Sequence, residues 1–418
     1  MRCTHALALL VIGSVALTGC GMMRTHYTRP LVNAPEAYAH ADESAKASID
    51  RWWESLDDPQ LDTLVAEALK NNNDLALAAL NVRAARLQVH LAVVNPAVTA
   101  GYTYDYSKPL NGSAPAVQFH SLTASVSYEL DLWDQLGATK DAALWEARAT
   151  EQDRRSAALA LIATAVNAYY QLADLNFRVH LNEQSIAYAE KTLQLVQVLK
   201  DAGDITKLEI AEAEQSFQSQ KANQVALIEQ RIEFRNALTV LLNGVPWPEE
   251  SERMAVPEAP PPRIAAGLPA ALLDRRPDLR AAELRLREAL AETDAIRLSF
   301  YPNLSLTGSV GTASSGLSEI VSNPLGSLAA TLSLPFIQMN QAHFATALAR
   351  TQYEKAAVSF RKTLLQALSD DVQVPCLHRQ QSMSWGCPQV FCCPEAGRSV
   401  SGAGVRCDDH LPWRQLEL

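Results

Sequence analysis

The sequence predicts an α+β membrane protein in which long helical coiled-coil hairpins are combined with four transmembrane β-strands. Three observations predict this fold class: strands that alternate between apolar and polar side chains, a helical segment too long for a compact domain, and a second copy of the same unit. Each copy supplies two of the strands and one helical segment. The architecture is therefore a duplicated repeat.

Four segments alternate between apolar and polar residues with a period of two. We expect Leu122, Val126 and Leu306 to face lipid, and Ser125 and Thr307 to face a wet lumen. An apolar outer face and a hydroxyl-rich inner face are typical of a transmembrane β-barrel. Strands of a soluble sandwich, the alternative, usually run about five to six residues, so the length favours the membrane. The segments are 98–107, 121–132, 303–310 and 327–334.

Between the strand pairs, residues 138–243 contain no proline and a single glycine, Gly203. A helix over 134–200 would extend about 100 Å. Its seam residues step alternately by three and four, which predicts a coiled coil. A second arm to Asn243 completes an antiparallel hairpin, and a helix over 74–94 could stack end to end on that shorter arm. A soluble four-helix bundle is the alternative. The seam residues are Leu172, Leu175, Val179, Asn182, Ile186, Ala189, Leu193 and Val196.

The duplication sets the expected domain boundaries. Asp74 and Asp278 both fall in the first turn of a helix, where the helix dipole favours a negatively charged carboxylate. Pro277 suits the first helical position. Seven prolines between 246 and 269 predict an extended surface linker between the copies. The predicted divisions are a first repeat at 61–244, a linker at 245–267 and a truncated second repeat at 268–371.

The N-terminus predicts a lipoprotein signal peptide at 1–19, followed by a lipidated extension at 20–60. Ala6 to Leu17 form an apolar stretch too short to span a bilayer as a helix, and Leu17-Thr18-Gly19-Cys20 resembles a bacterial lipobox. Cys20 would carry an S-diacylglycerol and an N-palmitoyl group. The alternative is an ordinary signal with a chance cysteine. After Cys20 no run of 18 apolar residues occurs, so we expect no transmembrane helix.

Composition excludes several classes of function. A net charge of −10 argues against nucleic-acid binding, and no cysteine lies between Gly21 and Pro375 to form a disulfide or a metal site. The sequence contains no HExxH, Walker or G-x-S-x-G motif, so we expect no enzyme, cofactor or metal. Glu129 and Asp131, on the polar side of a strand, indicate lumen polarity or a weak preference for cations.

Several motifs, taken together, make residues 21–371 resemble the TolC-like outer membrane factors, specifically the NodT-type lipoproteins of RND efflux systems. The motifs are Tyr27-Thr28-Arg29-Pro30, Trp52-Trp53, Asp58-Pro59-Gln60-Leu61, Asn73-Asp74-Leu75, Glu129-Leu130-Asp131-Leu132-Trp133, Ala202-Gly203, Glu209-Ile210, Ala213-Glu214, Arg275-Arg276-Pro277-Asp278-Leu279-Arg280, Tyr301-Pro302 and Leu334-Pro335-Phe336.

The resemblance implies a passive export duct for drugs and small molecules, in the bacterial outer membrane and extending into the periplasm. Four strands cannot close a barrel; two copies would supply eight strands and three would supply 12. The resemblance implies a homotrimer with a 12-stranded barrel on a periplasmic helical tunnel. It also implies docking of a periplasmic adaptor, and through it an inner-membrane RND pump, at the hairpin tip. The implied docking residues are Ala202, Gly203, Asp204, Thr206 and Glu209.

The chain departs from the family pattern in an aberrant, cysteine-rich tail at 372–418. Five of the seven cysteines lie there, and helical periodicity ends near Asp371. An out-of-frame C-terminus is the favoured interpretation; a disulfide-bonded tail and a zinc site are the alternatives. Two other functions therefore stay open, a coiled-coil scaffold lipoprotein without a pore and a non-functional frameshifted product.

Overall fold

The computed structural model describes residues 23–30, 51–110, 115–256, 275–316 and 324–384, with side chains as far as residue 369. The chain divides into two units, Met1–Val372 and Gln373–Leu418. Cys20, the signal peptide and residues 385–418 lie outside the described residues. The described helices and strands, in chain order, are α1 (Pro59–Asn71), α2 (Asn73–Leu91), β1 (Ala97–Ser107), β2 (Val117–Leu130), α3 (Gln135–Asp201), α4 (Lys207–Leu241), α5 (Pro277–Leu298), β3 (Asn303–Ser314), β4 (Pro324–Ser333) and α6 (Met339–Ser384).

The four described strands form one antiparallel sheet in the order β1-β2-β3-β4. The predicted strands are confirmed, with corrected ends. β2 begins at Val117 and ends at Leu130, so Asp131 lies beyond it. The Asp131 carboxylate instead accepts a hydrogen bond from the backbone N–H of Gly137, 2.9 Å away, in the first turn of α3. In the sequence, the alternation of apolar and polar residues continues to Leu132. The strand ends two residues earlier, at Leu130, because Asp131 caps the next helix.

The predicted helical hairpin is confirmed by α3, a helix of 67 residues, and α4, a helix of 35 residues. Every predicted seam residue from Leu172 to Val196 is buried or half-buried, so the three–four spacing correctly identified the packed face of α3. Within the described residues, α3 is long and apolar enough, by length and composition alone, to cross a membrane. The 18-residue stretch of α3 that meets this criterion is 44% buried inside the fold. The core helix of a bundle has the same composition.

The predicted end-to-end stacking of α2 on α4 is also present. The Asn72 side chain caps α2 by accepting the Leu75 backbone N–H at 3.1 Å, while its own amide donates to the Leu241 carbonyl at 3.2 Å. The Asn73 amide donates to the Asn243 side chain at 2.7 Å. Asn72 therefore satisfies one backbone group at each of the two helix ends, and Asn73 adds a side-chain contact across the joint.

The main hydrophobic core lies where α1 packs against α3 and the end of α4. In this core α1 packs against α3 on one side and against the end of α4 on the other. The core, which includes the buried Trp53, therefore fixes the end of the hairpin opposite its tip. Its buried members are Trp53, Leu61, Leu64, Val65, Ala68, Ile162, Ala165, Val166, Ala168, Tyr169, Leu172, Leu238, Leu242 and Trp247.

The first part of the predicted surface linker is packed rather than extended. Trp247 is buried in the main core and Glu252 is 8% exposed. Glu252 accepts hydrogen bonds from the Arg231 guanidinium at 3.1 Å and from the Asn176 amide at 3.2 Å. Proline content predicted the irregular backbone, but it carried no information on the polar partners that α3 and α4 offer.

In the second repeat, α5 and α6 pack against each other. Buried Leu279 on α5 contacts Leu364 and Ala367 on α6, and the Thr293 hydroxyl donates to the Ala349 carbonyl at 3.2 Å. The α6 helix continues to Ser384, past the predicted end at Asp370. The loss of apolar periodicity at Asp371 therefore does not coincide with the end of the helical backbone.

Candidate functional site

The sheet has two chemically different faces. Over much of the sheet the register places apolar side chains beside one another, so that Val98 lies beside Val126, and Leu304 beside Leu130 and Leu332. These exposed apolar side chains form what we call the apolar face. Its large members are Val98, Tyr102, Tyr104, Tyr106, Leu122, Val126, Tyr128, Leu306, Val310, Leu328 and Leu332, each at least 42% exposed.

The opposite side, the hydroxyl face, carries a ladder of hydroxyl pairs that crosses the sheet. The ladder joins β1 to β2, β2 to β3 and β3 to β4 through oxygen–oxygen hydrogen bonds of 2.6–3.0 Å. Such cross-strand hydroxyl pairs stabilise the register of the sheet. The predicted alternation is therefore present in three dimensions. The pairs are Thr99 with Ser125, Ser127 with Thr307, and Ser309 with Ser327.

Glu129 lies on the hydroxyl face at the end of β2 nearest the helices. Its carboxylate accepts a hydrogen bond from the Asn303 amide at 3.2 Å, and its backbone N–H and carbonyl both bond to the Asn95 side chain. These contacts hold a negative charge at the base of the sheet, on the side predicted to line a lumen.

Aromatic side chains lie at both ends of the sheet. Toward the hairpin end, the rings of Tyr104 and His120 are 4.8 Å apart, and His120 Nδ1 lies 2.7 Å from the hydroxyl of Tyr102 in the middle of β1. At the helix end, the Trp133 indole N–H donates to the Pro302 carbonyl at 2.7 Å and its ring lies 5.4 Å from Tyr301. Aromatic girdles at both interfaces are typical of outer-membrane barrels.

The predicted docking residues form the turn between α3 and α4. Gly203 has φ of +84°, and its backbone N–H donates to the Lys200 carbonyl while that of Asp204 donates to the Leu199 carbonyl. This pair of bonds is a Schellman cap, which requires a left-handed residue at the position of Gly203. Ala202, Gly203 and Asp204 are exposed.

The start of α4 completes the tip. The Thr206 backbone N–H and hydroxyl both donate to the Glu209 carboxylate, at 2.6 and 3.0 Å. The carboxylate thereby satisfies a backbone donor at the helix N-terminus and lies where the helix dipole favours negative charge. The structure thus brings all five predicted tip residues into one exposed turn, with Leu208 beside them at 66% exposure.

Sequence reasoning missed a polar strap formed by residues 23–30, which lies along α5. The Thr25 backbone N–H and hydroxyl donate to the buried Asp294 at 2.7 and 2.8 Å, and the Met23 carbonyl accepts from Arg297. Further along, Arg29 forms an ion pair with Glu283. The strap therefore runs antiparallel to α5, starting at the end of α5 that precedes β3.

Electrostatics hold the strap in place. Burial alone would raise the pKa of Glu283, but hydrogen bonds from Arg29 and Arg287 outweigh it and keep the pKa below its ordinary value. Burial and the Glu283 charge raise the pKa of Tyr27 to about 12, while the Arg287 guanidinium stacks on its ring at 4.5 Å. The sequence signal for this contact was the Tyr27-Thr28-Arg29-Pro30 motif, whose partners on α5 are distant in the chain.

Among the described residues, no group of three His, Cys, Asp or Glu side chains is placed to hold a metal ion. The predicted lipidation at Cys20 falls outside the described residues and stays a prediction. The described chain presents a sheet with an apolar face, a hydroxyl face and aromatic ends, and a helical hairpin whose longer arm, α3, extends about 100 Å. These features define a class of membrane protein that combines transmembrane β-strands with a long helical extension.

Comparison with known proteins agrees with this class. Outer membrane protein OprJ of Pseudomonas aeruginosa is 30% identical over 382 residues, which cover 87% of this chain and 78% of OprJ. Toxin and drug export protein A of Aggregatibacter actinomycetemcomitans is 28% identical over 369 residues, covering 87% of this chain and 80% of that protein. The open MtrE outer membrane channel of Neisseria gonorrhoeae superposes with a TM-score of 0.70 at 27% identity, covering 87% of this chain and 83% of MtrE.

The sequence profile of the outer membrane efflux protein family matches residues 64–244 and 268–375. The chain belongs to this family. The two matched segments each contain one strand pair of the sheet, and the family resemblance inferred from the sequence is thereby confirmed.

Proposed function

We propose that the chain is the outer-membrane channel of a tripartite, RND-type efflux system, a passive duct for drugs and other small molecules. The observation that carries this proposal is the sheet, whose apolar face suits lipid while its hydroxyl face suits water, and which continues into α3, a helix of about 100 Å. A duct needs both parts, because the strands cross only the bilayer and the helices bridge the aqueous space beneath it.

The open edges of the sheet support assembly into a trimer. β1 and β4 each pair with one neighbour in the described sheet, so each leaves one edge without a strand partner. Unpaired backbone groups are strongly unfavourable in lipid, and β1 of one copy can close on β4 of the next. Three copies would supply 12 strands and an open lumen.

The strap supports lipidation at Cys20 and anchoring in the outer membrane. The Met23 carbonyl accepts a hydrogen bond from Arg297, which lies six residues before the start of β3 at Asn303. Three peptide units limit the separation of Cys20 and Met23 to about 11 Å. Acyl chains on Cys20 would thus lie within reach of the bilayer that the sheet spans. Cys20→Ala should abolish incorporation of labelled palmitate while Cys3→Ala, a change in the signal peptide, should not; labelling of the Cys20 variant would contradict the proposal.

The tip supports a partner at the far end of the hairpin. Ala202, Gly203, Asp204, Thr206 and Glu209 form an exposed turn, which we propose as the docking surface for a periplasmic adaptor that connects the duct to an inner-membrane RND pump. The Schellman cap and the Thr206–Glu209 contacts fix the shape of this turn before a partner binds, which lowers the entropy lost on docking.

Single-channel recording in planar bilayers tests the proposal. A duct should give discrete conductance steps, whereas the alternative, a coiled-coil scaffold lipoprotein, should give none. Purified protein that forms trimers and binds vesicles but never produces steps would exclude a pore and favour the scaffold.

A further inference from the structure

An open cavity of about 740 Å³ lies where α5 and α6 separate toward their strands. Its volume is in the range of small-molecule binding sites. Nothing in the proposed duct uses it, because it lies outside the sheet and far from the tip in sequence. Its position is defined by Arg297 at the end of α5, Tyr301 and Pro302 before β3, Phe336 after β4, and His343 and Arg350 on α6.

The cavity lies next to the ends of two strands. Pro302 immediately precedes β3, and Phe336 follows the end of β4 by three residues. If the sheet spans the bilayer, as proposed above, these residues lie at its periplasmic boundary. The aromatic pair Trp133 and Tyr301 marks the same level, 5.4 Å apart between ring centroids. Aromatic rings of this kind concentrate at the headgroup region of a membrane.

The cavity is apolar at its membrane end and cationic away from it. Phe336, just before α6, and Met339, the first residue of α6, are 50% and 75% exposed, although both are large and apolar. Arg350 follows Met339 by three turns of α6, a rise of about 16 Å, and helical side chains lean back toward the helix N-terminus, here the membrane end. Among the described residues that line the cavity, Arg297, His343 and Arg350 can carry positive charge and none carries a carboxylate.

We propose that this cavity binds an anionic phospholipid of the periplasmic leaflet, with an acyl chain against Phe336 and Met339 and the phosphate beside Arg350. The apolar end of the cavity lies toward the bilayer and its cationic end toward the periplasm. A lipid of this leaflet has the same order, with its tail in the bilayer and its headgroup at the periplasmic side. Arg297 and Arg350 retain carboxylate neighbours, Asp294 at 2.8 Å and Glu354 at 3.9 Å, outside the cavity lining. A guanidinium carries five N–H donors in a planar fork whose geometry suits a phosphate. The inference depends on the proposed membrane position of the sheet, but not on export.

Native mass spectrometry of the full-length protein tests this site. The protein is incubated with vesicles of equal phosphatidylglycerol and phosphatidylethanolamine and then extracted in mild detergent. We expect preferential retention of phosphatidylglycerol, and Arg350→Gln should lower that preference about fivefold, the effect of one cation near an anionic headgroup. Phe336→Ser should lower retention of both lipids, because it removes apolar surface without touching the buried core.

Arg361→Gln is the matched control, since Arg361 is an exposed arginine on α6 that does not line the cavity. Equal retention of the two lipids by the unmodified protein, an unchanged preference in Arg350→Gln, or the same loss in Arg361→Gln would each overturn the inference. Retention by monomers and none by trimers would assign the cavity to the subunit interface and would also overturn it. Conductance steps without any lipid preference would refute only this inference; loss of the steps as well would refute the proposed function.

Discussion

The buried side chain of Asn182 on α3 accepts a hydrogen bond from the Asn223 amide on α4, with 3.0 Å between Nδ2 and Oδ1. The Asn182 amide in turn donates to the Gln220 carbonyl at 3.0 Å and to Gln224 at 2.8 Å. Asn182 is 6% exposed and occupies a seam position between apolar neighbours. A single polar layer in a coiled coil fixes the register of the two helices, because any slip leaves buried amides unpaired.

We expect a measurable coupling between these two asparagines. In a double-mutant cycle, Asn182→Ala and Asn223→Ala should be non-additive by about 0.5–1.5 kcal/mol in the free energy of unfolding, the net value of a buried hydrogen bond. Asn182→Ala combined with Gln215→Ala, an exposed position on α4, should be additive. Additivity in both pairs would show that the polar layer does not stabilise the hairpin.

The two faces of the sheet predict opposite responses to a buried charge. Leu122→Arg, near the middle of β2 on the apolar face, should destabilise the protein in phospholipid vesicles by about 2–4 kcal/mol. Ser125→Arg, three residues along the same strand on the hydroxyl face, should have a far smaller effect, since the guanidinium can stay hydrated in the lumen. Urea titration followed by tryptophan fluorescence measures both. Equal losses would mean that the sheet does not separate lipid from water.

The tip can be tested with a pair of glycines of the same geometry. Gly203 and Gly244 have φ of +84° and +86°, and a Cβ at either would meet no atom within 4 Å. Valine at each should therefore introduce a similar backbone strain, about 1–2 kcal/mol. We expect Gly203→Val to weaken adaptor binding and drug resistance at normal outer-membrane levels, and Gly244→Val to leave both intact. Equal loss in the two variants would indicate a general folding defect rather than a docking surface.

Glu288 on α5 should make the helical region less stable at neutral pH. Burial, and then the charges of Glu146 and Glu292, raise its pKa from 4.5 to about 7, and Arg285 only partly opposes them. The folded chain therefore keeps a proton that the unfolded chain releases, so this group's contribution is complete below about pH 4.5 and is lost as the pH rises to about 7.

Removing that charge should reverse the effect. Glu288→Gln should raise the free energy of unfolding at pH 7.5 by about 1–2 kcal/mol, a value reduced for solvent screening, and should change it little at pH 4. Glu190→Gln, at an exposed position on α3, is the control and should have no such pH dependence. Circular dichroism during urea unfolding at the two pH values measures the difference. A gain of the same size at both pH values would refute the assignment.

Exposed apolar residues on α6 lead to a prediction about the tail. Phe344, Leu348 and Leu365 are 70%, 62% and 57% exposed, and the family profile ends at residue 375. We propose that residues 372–418 are out of frame and leave this helix face without its intended cover, which promotes aggregation. Restoring a helical segment by frame correction should increase trimers on native gels and raise drug resistance. Full complementation of an efflux-deficient strain by the unmodified chain would show instead that the tail is a genuine domain.

The parts that could be predicted from the sequence are those with a regular period. Alternation by two identified the strands and their faces, and alternation by three and four identified the face of α3 that packs, because the burial of one side imposes both patterns. The strap was not predicted, since Thr25 and Asp294 are distant in the chain and neither lies in a periodic pattern. The packing of Glu252 was missed for the same reason, and the lipid cavity depends on where two helices separate, which no local pattern encodes.

The joint between α2 and α4 makes the two sides of the hairpin mechanically unequal. α3 is covalently continuous from the sheet to the tip, so bending it requires breaking its ladder of backbone hydrogen bonds. The opposite side is interrupted where Asn72 meets Leu241 and Asn73 meets Asn243, so a load there passes through side-chain hydrogen bonds and through the packing of Leu238 in the main core. A force applied at the tip would therefore be transmitted by an unbroken backbone along α3 and by side-chain contacts along the other side. Resistance to pulling on the second side thus depends on the core around Trp53, well away from the membrane.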